Sequence, residues 1–132
     1  MAKTKAMLLE ESYNLAFTKL VEAGSDEHNA SILSTVLRNA ERDGSHSHGL
    51  FRLPAYLTGL KSGKINGNAR ATINKITPSF LRVDGKKGLA PTAHNVAVPA
   101  LVTAARKTGV AIAAIHRSVS YTHLTLPTSQ LV

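Results

Sequence analysis

The sequence predicts an α/β (α+β) fold in which three helices come first and strands, a further helix and a last strand follow. Three observations predict it. Apolar residues recur at helical spacing through the first sixty positions; a Gly-, Asn- and Lys-rich stretch then carries two short β-type runs; and an alanine-rich helical pattern leads into the continuous apolar run "GVAIAAIH".

The first helix is expected over about Met7 to Ala23, where Leu9, Tyr13, Ala16, Phe17, Leu20 and Val21 share a face and Gly24 stands where a left-handed cap would end it. Ser25 then offers a capping hydroxyl, with Asp26 and Glu27 against the positive end of the next helix dipole. Ala30, Leu33, Val36, Leu37 and Ala40 give this second helix one apolar face, and it ends near Asp43 and Gly44. Leu50, Leu53, Leu57 and Leu60 mark a third helix, starting near Gly49 and closed by Gly63, in which Pro54 is tolerable only within the first turn. Strands are expected around Ala71 to Ile76 and Phe80 to Val83, with Lys86 and Lys87 as solvated loop charges. Ala93, Val96, Ala97, Ala100, Leu101, Ala104 and Ala105 line the inner face of the fourth helix, and the run from Gly109 suits a strand buried on both sides.

Composition bounds the function. A chain of 132 residues with 43% apolar and 18% charged residues has a globular composition, enough for one domain or a piece of one. It has no cysteine, which excludes disulfide scaffolds and thiolate metal sites and favours an intracellular home. No apolar run approaches the ~20 residues of a membrane span, and the start lacks the hydrophobic core of a secretion signal. The expected location is cytoplasmic. The charge of +8 is uneven: seven of the eight acids lie at or before Asp43, and eleven of the sixteen Lys and Arg lie after it with Asp84 alone against them. Such an excess could follow phosphates, but three Phe and three Tyr give little stacking surface and no RNA-recognition or zinc-finger pattern is present. A basic nucleic-acid-binding module is therefore an alternative reading, and no nucleic-acid partner is expected.

Residues 43–57, "DGSHSHGLFRLPAYL", carry the chemistry. With a helix starting near Gly49, His48 falls at its N-cap or first position and Arg52 one turn on. Positions four apart share a face with β-carbons ~5–6 Å apart, so imidazole and guanidinium converge on one small molecule. That geometry suits a carboxylate-bearing substrate: Arg52 grips the carboxylate with its planar fork, the free amides of the helix start add positive field, and His48 stands over the neighbouring carbon as proton donor. The same residues also permit a histidine pair that only caps a helix, and an Arg52 that is simply exposed. His46 and His48 have a metal-ligand spacing on a strand, but no further His, Asp and Glu cluster accompanies them and no metal is expected. His28, His94 and His116 have no partner pattern and read as structural.

From Val119 the chain reads "VSYTHLTLPTSQLV", without helical or strand period. Residues 119 to 128 resemble the translation of a transposase-type sequencing adapter, so 119–132 are expected to be a non-native tail and the natural protein to continue after Ser118.

The stretches "ERDGSHSHGLFRLPAYLTGLKSGKING", "FLRVDGKKGLA" and "AARKTGVAIAAIHRS" resemble the N-terminal part of the malate/L-lactate dehydrogenase family of NAD(P)-dependent oxidoreductases, over about residues 8 to 118. That family is distinct from Rossmann dehydrogenases, and no GxGxxG occurs here. The "RDGSHSHG" form with "FRLPAYL" most resembles its reductases of delta-1-piperideine-2-carboxylate and delta-1-pyrroline-2-carboxylate. The resemblance implies that residues 1–118 are the truncated opening section of the family's non-Rossmann fold, built around a large mixed sheet and assembled as a homodimer. It matches Ser47 to a relay serine, His48 to the proton donor and Arg52 to the substrate-carboxylate ligand, with His46 in a supporting role. The implied activity, in amino-acid metabolism, is NADPH- or NADH-dependent reduction of a small cyclic imine acid. A 2-hydroxy acid dehydrogenase of malate, lactate or ureidoglycolate type is the enzymatic alternative. In the family, later segments supply a relay aspartate and most of the cofactor pocket. Cofactor-binding residues are accordingly expected mostly beyond this stretch, and the fragment is expected to be inactive alone.

Overall fold

In the computed structural model, which describes residues 5–119, the three leading helices and the strands fall into different units: contacts divide the chain into Met1–Asn68 and Ala69–Val132. The first unit holds α1 (Leu9–Glu22), α2 (Glu27–Arg42) and α3 (Leu53–Lys61). The second holds β1 (Thr72–Thr77), β2 (Phe80–Leu89), α4 (Ala90–Thr108) and β3 (Ile112–Val119).

α1 and α2 pack against each other along apolar faces: Ala16, Leu20, Ala30 and Leu33 are fully buried and Leu37 nearly so. Leu9, Val21 and Val36, which the spacing put on inner faces, are exposed. Small residues and buried Ser12, Asn29 and Ser34 take part of the seam instead, because close helix approach rewards small side chains more than large ones. Asp26, not Ser25, caps α2: its Oδ1 accepts the Asn29 amide at 2.8 Å, while the Ser25 hydroxyl donates to Asp26 O. The chain turns at Gly24 with φ +115°, and the stretch after α3 comes back to this point. There Gly67 O accepts the Asp26 amide at 3.1 Å and Asn29 Nδ2 at 3.0 Å. A β-carbon on Gly67 would lie 2.8 Å from Ser25 Cα, so only glycine allows the approach.

The third helix starts at Leu53 rather than near Gly49, and two 3₁₀ turns, His46–His48 and Leu50–Arg52, precede it. Pro54 sits in its first turn, as its missing N–H requires. Leu53, Tyr56 and Leu60 are buried, and Gly63 follows the helix at φ +77°.

The second unit is a three-stranded mixed sheet in the order β1-β2-β3, β1 antiparallel and β3 parallel to β2, with α4 as the crossover. Val83, Ala93 and Ala97 form its core, with Ala71, Ile73, Ala113 and Ile115 packed around them. Ile73, Val83 and Ile115 are register partners, so one face of all three strands turns to α4. β2 runs on to Leu89, six residues past the expected end. It does so through an irregularity in which Gly85, Lys86 and Lys87 stand opposite Arg117. Lys86, Lys87 and Arg117 all have positive φ, and pairing resumes at Gly88 with Ser118 and Leu89 with Val119. Lys86 and Lys87 thus belong to a bulged strand, not a loop. β3 is not buried on both sides: Ile112, Ala114, His116 and Arg117 are exposed, since α4 covers one face and β3 ends the strand order among the described residues. Val119, expected to open the tail, is the last residue of β3, and the rest of the tail, 120–132, lies outside the described residues.

Candidate active site

α2 ends at Arg42 with Asp43 as its C-cap, and Gly44 at φ +76° turns the chain into the histidine segment. The Ser45–Arg52 backbone then closes on itself. The His48 amide donates to Ser45 O at 2.9 Å, the Gly49 amide to His46 O at 3.2 Å and the Arg52 amide to Gly49 O at 2.9 Å. His48 is therefore not at the start of α3, and the amides expected to lend positive field there are taken up by i→i+3 closure, the pattern of 3₁₀ turns.

The three predicted residues nevertheless come together. Ser47 Oγ lies 3.0 Å from His48 Nδ1, and Ser45 Oγ reaches the same nitrogen at 3.3 Å. Arg52 does not stand one helical turn above His48. It reaches back, its Nε donating to Ser47 O at 2.8 Å, which spends one of five guanidinium donors on fixing the fork beside the Ser47–His48 pair. Ser47 and His48 are exposed and Arg52 is half-buried. Both hydroxyls lie within hydrogen-bond reach of Nδ1, so the Nδ1 edge of the ring faces the hydroxyls of the turn and Nε2 lies on the opposite edge. The arrangement has one imidazole, two hydroxyls within reach of its Nδ1 and one fork-shaped cation.

Glu41, in the last turn of α2, is the residue that the sequence reading missed. Its Oε2 accepts His46 Nδ1–H at 2.5 Å and its Oε1 accepts the Leu50 amide at 2.9 Å. The hydrogen bond from His46, aided by the Leu50 amide, holds the Glu41 carboxyl below the usual carboxylate range. Gly49 leaves the space for it: a β-carbon there would lie 2.7 Å from Glu41 Cδ and 2.8 Å from Cγ. The signal was present, since Glu41 is the nearest acid to the histidine stretch apart from Asp43, but nothing in a spacing of five residues across a helix end tells where the side chain points.

His28, His94 and His116 lie on α2, α4 and β3, and all three are exposed. Asp84, the lone acid of the basic stretch, accepts Arg117 Nε at 2.9 Å and the Lys86 amide at 2.9 Å through Oδ1, while Oδ2 meets Arg117 Nη2 and Lys86 Nζ. The Arg117 guanidinium holds its carboxyl well below the ordinary range. Among the described residues no three His, Asp or Glu side chains gather as a metal site, and no helix is long and apolar enough to cross a membrane.

Residues 8–132 match the malate/L-lactate dehydrogenase family. The chain is 43% identical over 108 residues to the Delta(1)-pyrroline-2-carboxylate reductase of Ancylobacter novellus, covering 82% of this chain and 32% of that one. It is 37% identical over 112 residues to the (2R)-3-sulfolactate dehydrogenase (NADP(+)) of Chromohalobacter salexigens, covering 85% and 33%. The crystal structure of delta1-piperideine-2-carboxylate reductase from Pseudomonas syringae pvar. tomato superposes with a TM-score of 0.81 at 37% identity, over 87% of this chain and 35% of that one. The chain thus spans about a third of the length of these relatives. With the helix order, the mixed sheet and the Ser-His-Gly turn in place, the chain belongs to the malate/L-lactate dehydrogenase family.

Proposed function

We propose that Ser47, His48 and Arg52 form the proton-donating and carboxylate-binding part of an NAD(P)H-dependent reductase of a small cyclic imine acid, delta-1-pyrroline-2-carboxylate or delta-1-piperideine-2-carboxylate. The observation that carries this reading is the shared turn: Arg52 is tied to Ser47 O, and Ser47 Oγ sits on His48 Nδ1. Reduction adds a hydride to the carbon of the C=N bond and a proton to its nitrogen. One imidazole, the hydroxyls and one guanidinium can bind a carboxylate and release a proton but store no hydride, which fits a dinucleotide, NADPH or NADH, as the group that supplies the hydride when bound. Arg52 holds the carboxylate, which fixes the adjacent C=N bond against His48. His48, as the imidazolium, gives its Nε2 proton to the imine nitrogen and is left as the neutral imidazole, and Ser47 keeps the ring oriented through Nδ1. The names of the pyrroline and piperideine reductases support the imine acid. The sulfolactate dehydrogenase supports the alternative, a 2-hydroxy acid dehydrogenase in which the same proton goes to a carbonyl oxygen. The reading extends to a cytoplasmic homodimer, and to a 132-residue chain that carries the clamp without turnover.

The test uses a hybrid enzyme in which residues 8–118 replace the matching third of the P. syringae reductase. Arg52→Lys keeps the charge and loses the fork, so kcat/KM for pyrroline-2-carboxylate should fall roughly 10–150-fold, the equivalent of a charged hydrogen bond of about 1.5–3 kcal/mol. The poor substrate 1-pyrroline, which lacks the carboxylate, should lose nothing further. Equal losses on both would contradict the assignment of Arg52. Faster turnover of a 2-oxo acid than of the imine would move the chain to the alternative.

A further inference from the structure

Glu41 divides its two oxygens across the site. One takes the His46 ring, one residue before the Ser47–His48 pair, and the other takes the Leu50 amide, two residues after it. The side chain is only 20% exposed although His46 is 73% exposed, so the carboxylate lies inside the turn and not on its rim. It is anchored in the last turn of α2, whose Leu33 and Leu37 are buried in the first unit, and Gly49 is the residue that makes room for it. Ser47 lies inside the segment so tethered and Ser45 directly before it, and they reach Nδ1 at 3.0 and 3.3 Å from the backbone of this turn. Fixing the turn at both ends therefore fixes the direction of the imidazole and the hydroxyls that face its Nδ1, the way an outer carboxylate orients a working histidine elsewhere.

We infer that Glu41, paired with His46, is a positioning residue that holds the Ser45–Ser47–His48 arrangement in the geometry used for proton transfer. The inference rests on the reading of Ser47, His48 and Arg52 as the site. Glu41 itself touches no reacting atom; it acts through the backbone of the turn and through His46.

The experiment is nitrogen-15 NMR of the histidine side chains in the 132-residue chain at pH 8, above the ordinary histidine range. Wild type should show His48 as one dominant tautomer, with widely separated ring-nitrogen shifts. Glu41→Ala, which removes both arms, should raise the minor tautomer of His48 two- to tenfold while the amides of α1 and α2 keep their shifts. Glu41→Gln keeps an acceptor for the Leu50 amide and should return most of the wild-type population. Unchanged His48 nitrogens in Glu41→Ala, or mixed tautomers already in wild type, would overturn the inference. Should Glu41→Ala fail to fold, His46→Asn cuts one arm at an exposed position, and an unchanged His48 there overturns it equally. No substrate is present, so a failed Arg52 test with an intact His48 signature would sink the functional reading and leave only the positioning of His48 by Glu41.

Discussion

Gly49→Ala is the perturbation that the geometry of the histidine turn defines most sharply. A β-carbon at this position meets one thing, the Glu41 side chain, at 2.7 Å from Cδ and 2.8 Å from Cγ. Gly49 has φ −94°, so a left-handed conformation is not at issue. The obstacle is the far end of a flexible side chain, which can swing away at little steric cost. What is lost is what the carboxylate was holding. The Leu50 amide loses a charged acceptor at 2.9 Å, worth about 1.5–3 kcal/mol. The His46 pair, 73% exposed on the histidine side, adds at most about 1 kcal/mol after solvent screening. At about 1.4 kcal/mol per factor of ten, the amide bond alone corresponds to a roughly 10–150-fold loss of hydrogen-exchange protection at Leu50. A double-mutant cycle isolates the cause. Glu41→Ala should reduce Leu50 protection by a similar factor, and Gly49→Ala added to it should cost almost nothing. Retained protection in Gly49→Ala, or a double variant whose loss is the product of the two single losses, would refute the argument.

Leu33→Ala should lower the stability of the first unit by about 2–5 kcal/mol, read as a drop in the urea midpoint, because a fully buried leucine leaves a cavity in the α1–α2 seam. A shift within error would mean that this seam is not packed as described. Asp84 has a native carboxyl held below its unfolded value of roughly 3.9, so the native chain binds fewer protons than the unfolded one in that window. Its contribution is present above about pH 4 and is lost as the pH falls toward the depressed native value. Melting curves between pH 5 and pH 2 should therefore show wild type and Asp84→Asn converging as acid is added; parallel curves would contradict the Asp84–Arg117 lock.

The elements were legible in the sequence because their signals are local. Helical spacing located α1, α2 and α4, and Pro54 marked the first turn of α3 because a residue without an N–H has few other places in a helix. The start of α3 was misread because Leu50 and Leu53 fit a 3₁₀ segment as well as an α-helix over so short a span. β3 looked doubly buried because an unbroken apolar run does not say how many layers cover it. The continuation of β2 through Lys86 and Lys87 was hidden because two lysines beside glycines resemble a loop, and only pairing with Ser118 and Val119 makes them strand. Of the site, residue types and spacing pointed to His48 and Arg52 and the family resemblance to Ser47, while the backbone bond that joins Arg52 to Ser47 and the reach of Glu41 depend on side-chain directions that spacing does not encode.

The proposed role of His48 as proton donor is tested most directly by single-turnover reduction of pyrroline-2-carboxylate in the hybrid enzyme, following NADPH absorbance, with His48→Ala against wild type and with cofactor affinity measured separately. The rate should fall by about 10²–10⁴ with cofactor affinity nearly unchanged. A wild-type rate in His48→Ala would contradict it.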